Sequence, residues 1–571
     1  MTGPTAAALA PRRGVQWVDL LVVLALVAGI YGMVVIAREW TGVLHPVAEI
    51  QLRPRFLPLY TLYSLTRGLL AYAISFLFTM IYGYAAARVS GADRVLLPVL
   101  DILQSIPVLG FLPGFVLALV HLFPHRNLGL EMASVLMIFT GQVWNMTFAF
   151  YGSLKAVPEE FQAVARLTKL TWWQRFFRLE LAFSATSLVW NSMMSMAGGW
   201  FFLTVSEAFV LGEHDFRLPG LGSYMSLAIE RGDARAQWLG VLAMAFLIVF
   251  LDQLLWRPMV AWSQRFSSDQ SDSSGLEVGW WNHVRRSHLW LGTVRAGKSL
   301  VSRSGRRAAQ RQSAPPSAAR QCAFTWARRG FLLLAGLCVA FAAIKYFHLL
   351  RGLTAHEWRQ VLISTVLTFL RVIAAVVLAS VWTIPVGVLI GRNPRWSRAL
   401  QPVIQMVASF PAPMIFPLVV ATVLALGGGL GIGSVLLLLL GTQWYILFNV
   451  IAGSSAIPPE FWEVARIHRF SDWLRWRRLV LPALFPSLLT GWITAMGGAW
   501  NASIVAEYMK YRGKTLTTVG LGALISQATD QGNFDLLAAA VGVMALVVVG
   551  FNRLVWHPLS RQAQTRFSLG N

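Results

Sequence analysis

Long apolar runs alternate with short polar ones along almost the whole chain. A helix needs roughly 20 residues to cross a bilayer. Runs of about that length lie near 15–37, 65–88, 96–122, 131–154, 180–205, 236–256, 330–348, 361–390, 397–427, 432–453, 480–505 and 535–556. The pattern predicts an all-α polytopic membrane protein. Between the fourth and fifth runs lies VPEEFQAVARLTKL, from Val157, where Phe161, Val164, Ala165 and Thr168 recur at helical spacing. Between the tenth and eleventh lies IPPEFWEVARIHRF, from Ile457, with Phe461, Val464, Ala465 and His468 at the same spacing. Pro158, Pro458 and Pro459 suit the first turn of these short amphipathic helices, where a missing N–H removes no hydrogen bond.

Comparing the chain with itself divides the runs into two sets. Gly141, Trp144 and Phe148 recur 300 residues later as Gly441, Trp444 and Phe448, and Phe161, Val164, Ala165 and Arg166 recur as Phe461, Val464, Ala465 and Arg466. The same offset relates Gly198, Trp200 and Glu207 to Gly498, Trp500 and Glu507, and the run Gly220, Leu221, Gly222 to Gly520, Leu521, Gly522. It also relates Trp256 and Pro258 to Trp556 and Pro558. Upstream the offset is 304, so that Arg67, Gly83, Pro107 and Pro113 match Arg371, Gly387, Pro411 and Pro417. A repeat of this kind sets the architecture before any local motif does. It predicts two homologous halves of about six spans each, parallel because six is even. The expected divisions are a first membrane repeat at 1–259, a linker at 260–329 and a second membrane repeat at 330–571.

Only 13% of the 571 residues are charged, about half the share usual in soluble domains. The net charge of +23 would suggest a nucleic-acid partner in a soluble protein. Here it is accounted for by Lys and Arg between the spans, which collect on the cytoplasmic side of inner-membrane proteins, and no nucleic acid is implied. Arg12 and Arg13, Arg392, Arg395 and Arg398, and the basic loops around Arg175, Arg178, Arg475, Arg477 and Arg478 fall on one side. That side is expected to be cytoplasmic and to hold both termini and the linker. The first run has no small-residue cleavage site, so it reads as a retained span rather than a secretory signal. Cys322 and Cys338 are too few for a disulfide framework or a metal site, and neither metal nor cofactor is expected.

One motif points elsewhere. Gly292, Gly297, Lys298 and Ser299 have the G-x-x-x-x-G-K-S spacing of a phosphate-binding loop. Such a loop works between a buried strand and a helix, with an aspartate nearby to hold magnesium. The linker, about seventy residues long, is shorter than a typical domain, and it has no acidic residue between Ser299 and the next span. An enzyme hydrolysing nucleotide itself is therefore disfavoured. The linker instead opens with SSDQSDSSG and later reads SAPPSAARQ, compositions of flexible chain. Trp280, Trp281 and Trp290 among arginines suit either an interfacial helix on anionic lipid or a solvated segment.

The duplicated loops and the motifs around them resemble the permease subunits of binding-protein-dependent ABC importers, in particular the nitrate/sulfonate/taurine/bicarbonate group. The signature of those proteins is a loop of the type E-A-A, then Gly, then I-x-L-P. The second half resembles it at Glu463, Val464, Ala465 and Arg466, with Leu481, Pro482 and Pro486 beyond. The resemblance extends to SIPVLGFLP and SFPAPMIFP in the third runs, to Arg67 and Arg371, and to the W…E…GLG pattern after the fifth. It implies a permease that does no bond chemistry, with ATP hydrolysed on a separate ATPase partner present in two copies, and cargo delivered by a periplasmic or lipid-anchored binding protein. It further implies location in the bacterial cytoplasmic membrane. Coupling to the ATPase would run through Glu160, Phe161, Ala163, Ala165 and Arg166 and through Glu460, Phe461, Glu463, Ala465 and Arg466. Departures occur at Ala163, where the signature has Glu, at Lys169 and Arg469, where it has Gly, and at Leu181 and Ala182, which replace Leu-Pro. The two loops are thus expected to dock unequally.

For the pathway, ionisable groups in spans are functional candidates by default. Arg67 and Arg371 either attract a small anion near the outer entrance, or else snorkel to the interface or pair with Glu207 and Glu507. Trp144, Trp200, Trp444, Trp500 and Asn501 are pathway candidates by resemblance, with interfacial anchoring the alternative for the tryptophans. Pro107, Pro113, Pro411 and Pro417 are expected to break the third spans and free backbone groups, which is tolerated only beside protein or a water-filled cavity. The implied cargo is a small oxyanion or organic anion. A secondary transporter with two parallel six-helix halves is the main alternative, but it has no use for paired cytoplasmic loops and would require carboxylates deep in the spans. A channel would leave the loops unexplained.

Overall fold

The computed structural model describes residues 49–266 and 343–566, except 90, 106, 125, 212, 213, 512 and 513, together with 337, 340 and 341. The first apolar run, the linker from 267 onward with its phosphate-loop-like motif, Cys322, Cys338 and the start of the seventh run lie outside the described residues.

Each half repeats one order of elements. The first has α1 (Leu57–Arg88), α2 (Asp93–Ser105), α3 (Leu112–Leu122), α4 (Leu128–Lys155), α5 (Glu159–Leu167) and α6 (Leu181–Ser206). A two-stranded ribbon follows, β1 (Ala208–Leu211) with β2 (His214–Arg217), then α7 (Leu221–Glu230) and α8 (Ala234–Leu251). The second has α9 (Ala355–Arg392), α10 (Pro394–Ala408), α11 (Phe416–Ala425), α12 (Leu430–Ser455), α13 (Pro459–Ile467) and α14 (Leu481–Ala506). Its ribbon is β3 (Tyr508–Tyr511) with β4 (Lys514–Thr517), before α15 (Leu521–Gln531) and α16 (Phe534–Phe551). Both ribbons are antiparallel and register identically, Ala208 opposite Arg217 and Tyr508 opposite Thr517. Their short strands are an addition to the predicted helical fold.

Among the described residues, seven helices are long and apolar enough to span a bilayer, or eight if the bent pair α2–α3 counts as one. α6 matches α14 at 26 residues but carries Ser184, Ser187, Asn191, Ser192 and Ser195, which lower its hydropathy. The third runs break as the prolines predict. α2 and α3 meet at 82°, and Pro107 and Pro411 sit in extended conformations, with ψ of 106° and 113°. Proline supplies no N–H to continue the helix there. Pro113 and Pro417, expected to break the helix as well, instead occupy the first turns of α3 and α11, where the missing N–H costs nothing.

Within each half the fourth-run helix packs between the second and fifth: α4 between α1 and α6, α12 between α9 and α14. Glycine permits the approach. A Cβ on Gly83 would lie 2.9 Å from the Phe150 ring, and one on Gly387 would lie 2.7 Å from Val450. The break in each half reaches the other half: residues 108–111 pack on α14, and 412–414 pack on α6. One apolar core therefore includes Leu109 and Leu112 together with Trp500 and Val541. At roughly 25 cal/mol per Å² of apolar surface removed from solvent, such a shared core favours joining the halves.

Candidate coupling surface and translocation pathway

Two buried ion pairs hold one end of the molecule. Arg67, on the third turn of α1, donates from Nη1 to Glu207 at 2.8 Å and from Nε and Nη2 to the two oxygens of Glu131 at 2.5 and 2.6 Å. Glu207 closes α6 and also accepts from the Ser64 hydroxyl and the Gly222 amide, both at 2.7 Å. The carboxylate thereby receives the otherwise unpaired first-turn amide of α7. In the second half, Arg371 donates to Glu507 at 2.9 Å, and Glu507 accepts from Thr368 at 2.8 Å and Gly522 at 2.9 Å. The glycines of the GLG runs follow from this. A Cβ on Gly220 or Gly520 would lie 2.3 or 2.2 Å from the glutamate carboxyl groups, and one on Gly222 or Gly522 would meet the backbone of α6 or α14 at 2.5 or 2.4 Å. Of the roles expected for Arg67 and Arg371, the structure shows pairing with Glu207 and Glu507.

At the opposite ends of α4, α6, α12 and α14 lie α5 and α13. Ala165 and Ala465 are buried beneath them, while Phe161, Val164 and Leu167 are 52%, 56% and 82% exposed and Phe461, Val464 and Ile467 are 45%, 49% and 68% exposed. That is an apolar stripe at i, i+3 and i+6, facing outward on each helix. Glu160, Arg166, Glu460 and Arg466 flank it in solvent, Glu463 pairs with Arg466 at 3.1 Å, and Ala163 is half-buried. Both helices end in the same way. Leu170 N–H donates to the Ala165 carbonyl and Lys169 N–H to that of Arg166, and Phe470 and Arg469 repeat the pattern on Ala465 and Arg466. This pair of hydrogen bonds requires a left-handed residue at the turn. Lys169 and Arg469, with φ of 47° and 49°, are the non-glycine residues of positive φ among those described. The positions where the resembled signature has glycine thus keep the glycine-like conformation without it.

The loops are fastened to the spans differently. In the first half, buried Glu180 lies 2.9 Å from both Arg88, at the end of α1, and Arg175. In the second, Val480 stands in its place, and Arg392, at the end of α9, lies 4.3 Å over the Trp462 ring of α13.

Among the described residues, three cavities lie between the halves, the smallest of about 20 Å³, and the other two bear on the pathway. One of about 360 Å³ opens beside the ribbons, lined by Pro113, Phe209, Met225, Ile504 and Met509. Its rim carries the pairs Arg217–Glu230 at 2.8 Å and Lys510–Asp530 at 3.4 Å. Tyr508 donates to Asp530 at 2.6 Å, and burial together with that carboxylate raises the phenol above its usual range. The other cavity, about 120 Å³, lies roughly two-thirds of the way along α6 and α14 between Gly141, Gly198, Gly441 and Gly498. It has room for several water molecules. Pro411, Trp444 and Asn501 line it, and Asn501 Oδ1 accepts from the Leu109 amide at 3.4 Å, linking the halves.

The sequence profile of binding-protein-dependent transport system inner membrane components matches twice, over 57–255 and 383–556, more than half of the chain. The chain belongs to this family. Stretches of this permease are 27% identical to the nitrate import permease protein of Leptolyngbya laminosa and 29% identical to the bicarbonate transport system permease protein of Synechococcus elongatus. Each covers 34% of the chain, and they cover 65% and 66% of those proteins. A third stretch is 26% identical to the putative aliphatic sulfonates transport permease protein of Bacillus subtilis, over 28% of the chain and 55% of that protein. Each alignment spans less than two-thirds of the relative.

The permease brings the sequence-predicted residues together only in part. Pro411, Trp444 and Asn501 meet at the inner cavity and Pro113 lies at the outer one. Pro107 is buried at the break before α3, and Pro417 is buried in the first turn of α11. Trp200 is 3% exposed and packs over Gly68, whose added Cβ would lie 3.1 Å from the indole. Trp500 is 1% exposed, with its ring 6.3 Å from that of Phe369. Both tryptophans are packing groups between helices. Trp144 is half-buried on α4 and lines neither cavity. Sequence reasoning missed Gln405, Tyr445 and Phe448 at the inner cavity and Glu131 beside Arg67. Spacing offered a signal for two of these, since Tyr445 and Phe448 continue the face of Gly441 and Trp444.

Proposed function

We propose that this chain supplies both halves of the translocation pathway of an ATP-driven importer of a small anion. ATP is hydrolysed on two partner subunits that dock on α5 and α13, while repeats 1–259 and 330–571, joined by a linker at 260–329, rock around the inner cavity. The observation that carries this reading is the pair of outward apolar stripes at one end of both halves. Their exposure leaves several large apolar side chains without a packing partner among the described residues, and such residues act as anchors when a groove receives them. Force applied there reaches α6 and α14 directly through the π-helical turns at 176–180 and 476–480. We place that end, the linker and both termini in the cytoplasm of a bacterium, and the ribbons on the outer side, where a substrate-binding protein delivers cargo. Nitrate, bicarbonate and sulfonates, named for the relatives, are the candidates.

A secondary transporter remains the alternative to test. Against it, Glu131, Glu207, Glu180 and Glu507 are each engaged by arginine, and none lines the inner cavity. The discriminating experiment is uptake into vesicles holding the chain, the ATPase subunits and the binding protein. Uptake should need internal ATP and persist when ion gradients are collapsed. Uptake driven by a gradient without ATP would overturn the proposal.

A further inference from the structure

The two ion pairs are related by the internal repeat, yet they differ in one respect. Arg67 uses both edges of its guanidinium: one holds Glu207 and the Pro219 carbonyl, and the other forms a two-pronged pair with the Glu131 carboxylate. Glu131 stands in the first turn of α4. Its counterpart, 300 residues on, is Gly431 in the first turn of α12. Arg371 keeps the first edge, on Glu507 and the Val519 carbonyl at 2.9 and 2.8 Å. On the second edge, Nη2 reaches only the Thr518 hydroxyl at 3.0 Å, and Nε makes no hydrogen bond among the described residues.

We infer that the free edge of Arg371, beside Gly431, is a binding site for a small planar oxyanion, occupying in the second half the place that the Glu131 carboxylate occupies in the first. Three observations converge on it. An arginine edge is shaped for two oxygens of a planar anion, and the first half uses this edge in that way. Space exists, because a Cβ on Gly431 would meet only the Thr518 Oγ1 within 4 Å, at 3.6 Å. Access exists as well, since the Arg371 side chain is 14% exposed against 2% for Arg67. The balance of charge agrees. Arg67 faces two carboxylates and Arg371 only one, so a monovalent anion at Arg371 makes the two sites equal. The first turn of α12, a 26-residue helix, adds its positive end to the same place. The ligand class is an anion with two coplanar oxygens, such as nitrate, bicarbonate or a simple carboxylate. The site lies at the end opposite α5 and α13, and it stands whether or not its occupant is the transported solute.

The test is thermal unfolding of the purified full-length chain in sodium nitrate or sodium formate against sodium chloride at equal ionic strength. A ligand that binds only the folded state raises the melting temperature, by about 2 °C at roughly a hundred times its dissociation constant for a chain of this length. The wild type and Gly431→Ala should show this rise in nitrate and formate beyond that in chloride. Gly431→Glu, which supplies the carboxylate covalently, should lose it. Glu131→Gly, which empties the matching place on Arg67, should show a larger formate response than the wild type, giving a readout that does not depend on Gly431→Glu folding. A wild-type response no greater than that to chloride, a full response in Gly431→Glu, or no gain in Glu131→Gly would overturn the site. Transport is not measured here, so failure of this site and failure of the importer reading are distinguishable.

Discussion

Removing the equivalent glutamate from each half should have unequal consequences. In Glu507→Ala, Arg371 loses the one carboxylate it pairs with among the described residues, and the Gly522 amide and Thr368 hydroxyl lose an acceptor. Breaking a buried pair by deleting one partner costs roughly 3–5 kcal/mol. Because Arg371 is 14% exposed, water reaches it, and the low end of that range applies. The stranded amide adds roughly 1 kcal/mol or more. In Glu207→Ala, Arg67 keeps the two-pronged pair with Glu131, so the charge stays compensated and the loss is confined to the Gly222 and Ser64 donors. That is about 1–3 kcal/mol. The second-half variant should therefore be the less stable by about 2 kcal/mol, and removing Glu131 together with Glu207 should bring the first half down to the same level. The assay is intrinsic tryptophan fluorescence during thermal unfolding of the detergent-purified chain, at one fixed chloride concentration. Equal melting temperatures for the two single variants, or a lower one for Glu207→Ala, would refute the reasoning that Glu131 compensates Arg67.

Three further expectations concern the coupling end. Phe161→Ala and Phe461→Ala should each weaken binding of the ATPase subunits by about 2 kcal/mol, roughly 30-fold, while leaving the melting temperature of the isolated permease unchanged. A titrated pull-down together with a melting curve checks both parts. Glu463→Ala should reduce solute-dependent ATP hydrolysis by the assembly more than Ala163→Glu changes it, since only the second loop carries the signature glutamate; the opposite order would contradict unequal docking. At the left-handed turns, Lys169→Gly and Arg469→Gly should be neutral or slightly stabilising, because glycine removes the left-handed penalty and adds unfolded-state entropy of similar size. Lys169→Val should cost about 1–2 kcal/mol in the same thermal assay, since a β-branched residue resists that conformation.

The sequence made the duplication, the long helices and the amphipathic loops legible because each rests on periodic apolar spacing, which survives any detail of packing. It also made the arginine–glutamate pairing legible as one of three options, because Arg67 and Glu207 recur as Arg371 and Glu507. Glu131 was hidden for the opposite reason. A comparison that looks for matches passes over a position where one half has Glu and the other Gly, and the difference between the halves lies there. The ribbons were hidden because four-residue strands are too short to register against long apolar runs. Pro113 was misread as a break because its role depends on where the chain resumes its helix, which the break at Pro107 sets. The tryptophans illustrate the limit most clearly: Trp444 borders a cavity and Trp200 packs on a glycine, although both were equally plausible as pathway residues by resemblance.

The central claim is that this chain carries the pathway and a partner carries the nucleotide. The most direct test is the ATP hydrolysis rate of the purified assembly of the chain with its ATPase subunits, compared between wild type and Lys298→Ala at equal subunit composition. The account predicts equal rates and no hydrolysis by the chain alone. Loss of hydrolysis in Lys298→Ala, with assembly unchanged, would contradict it.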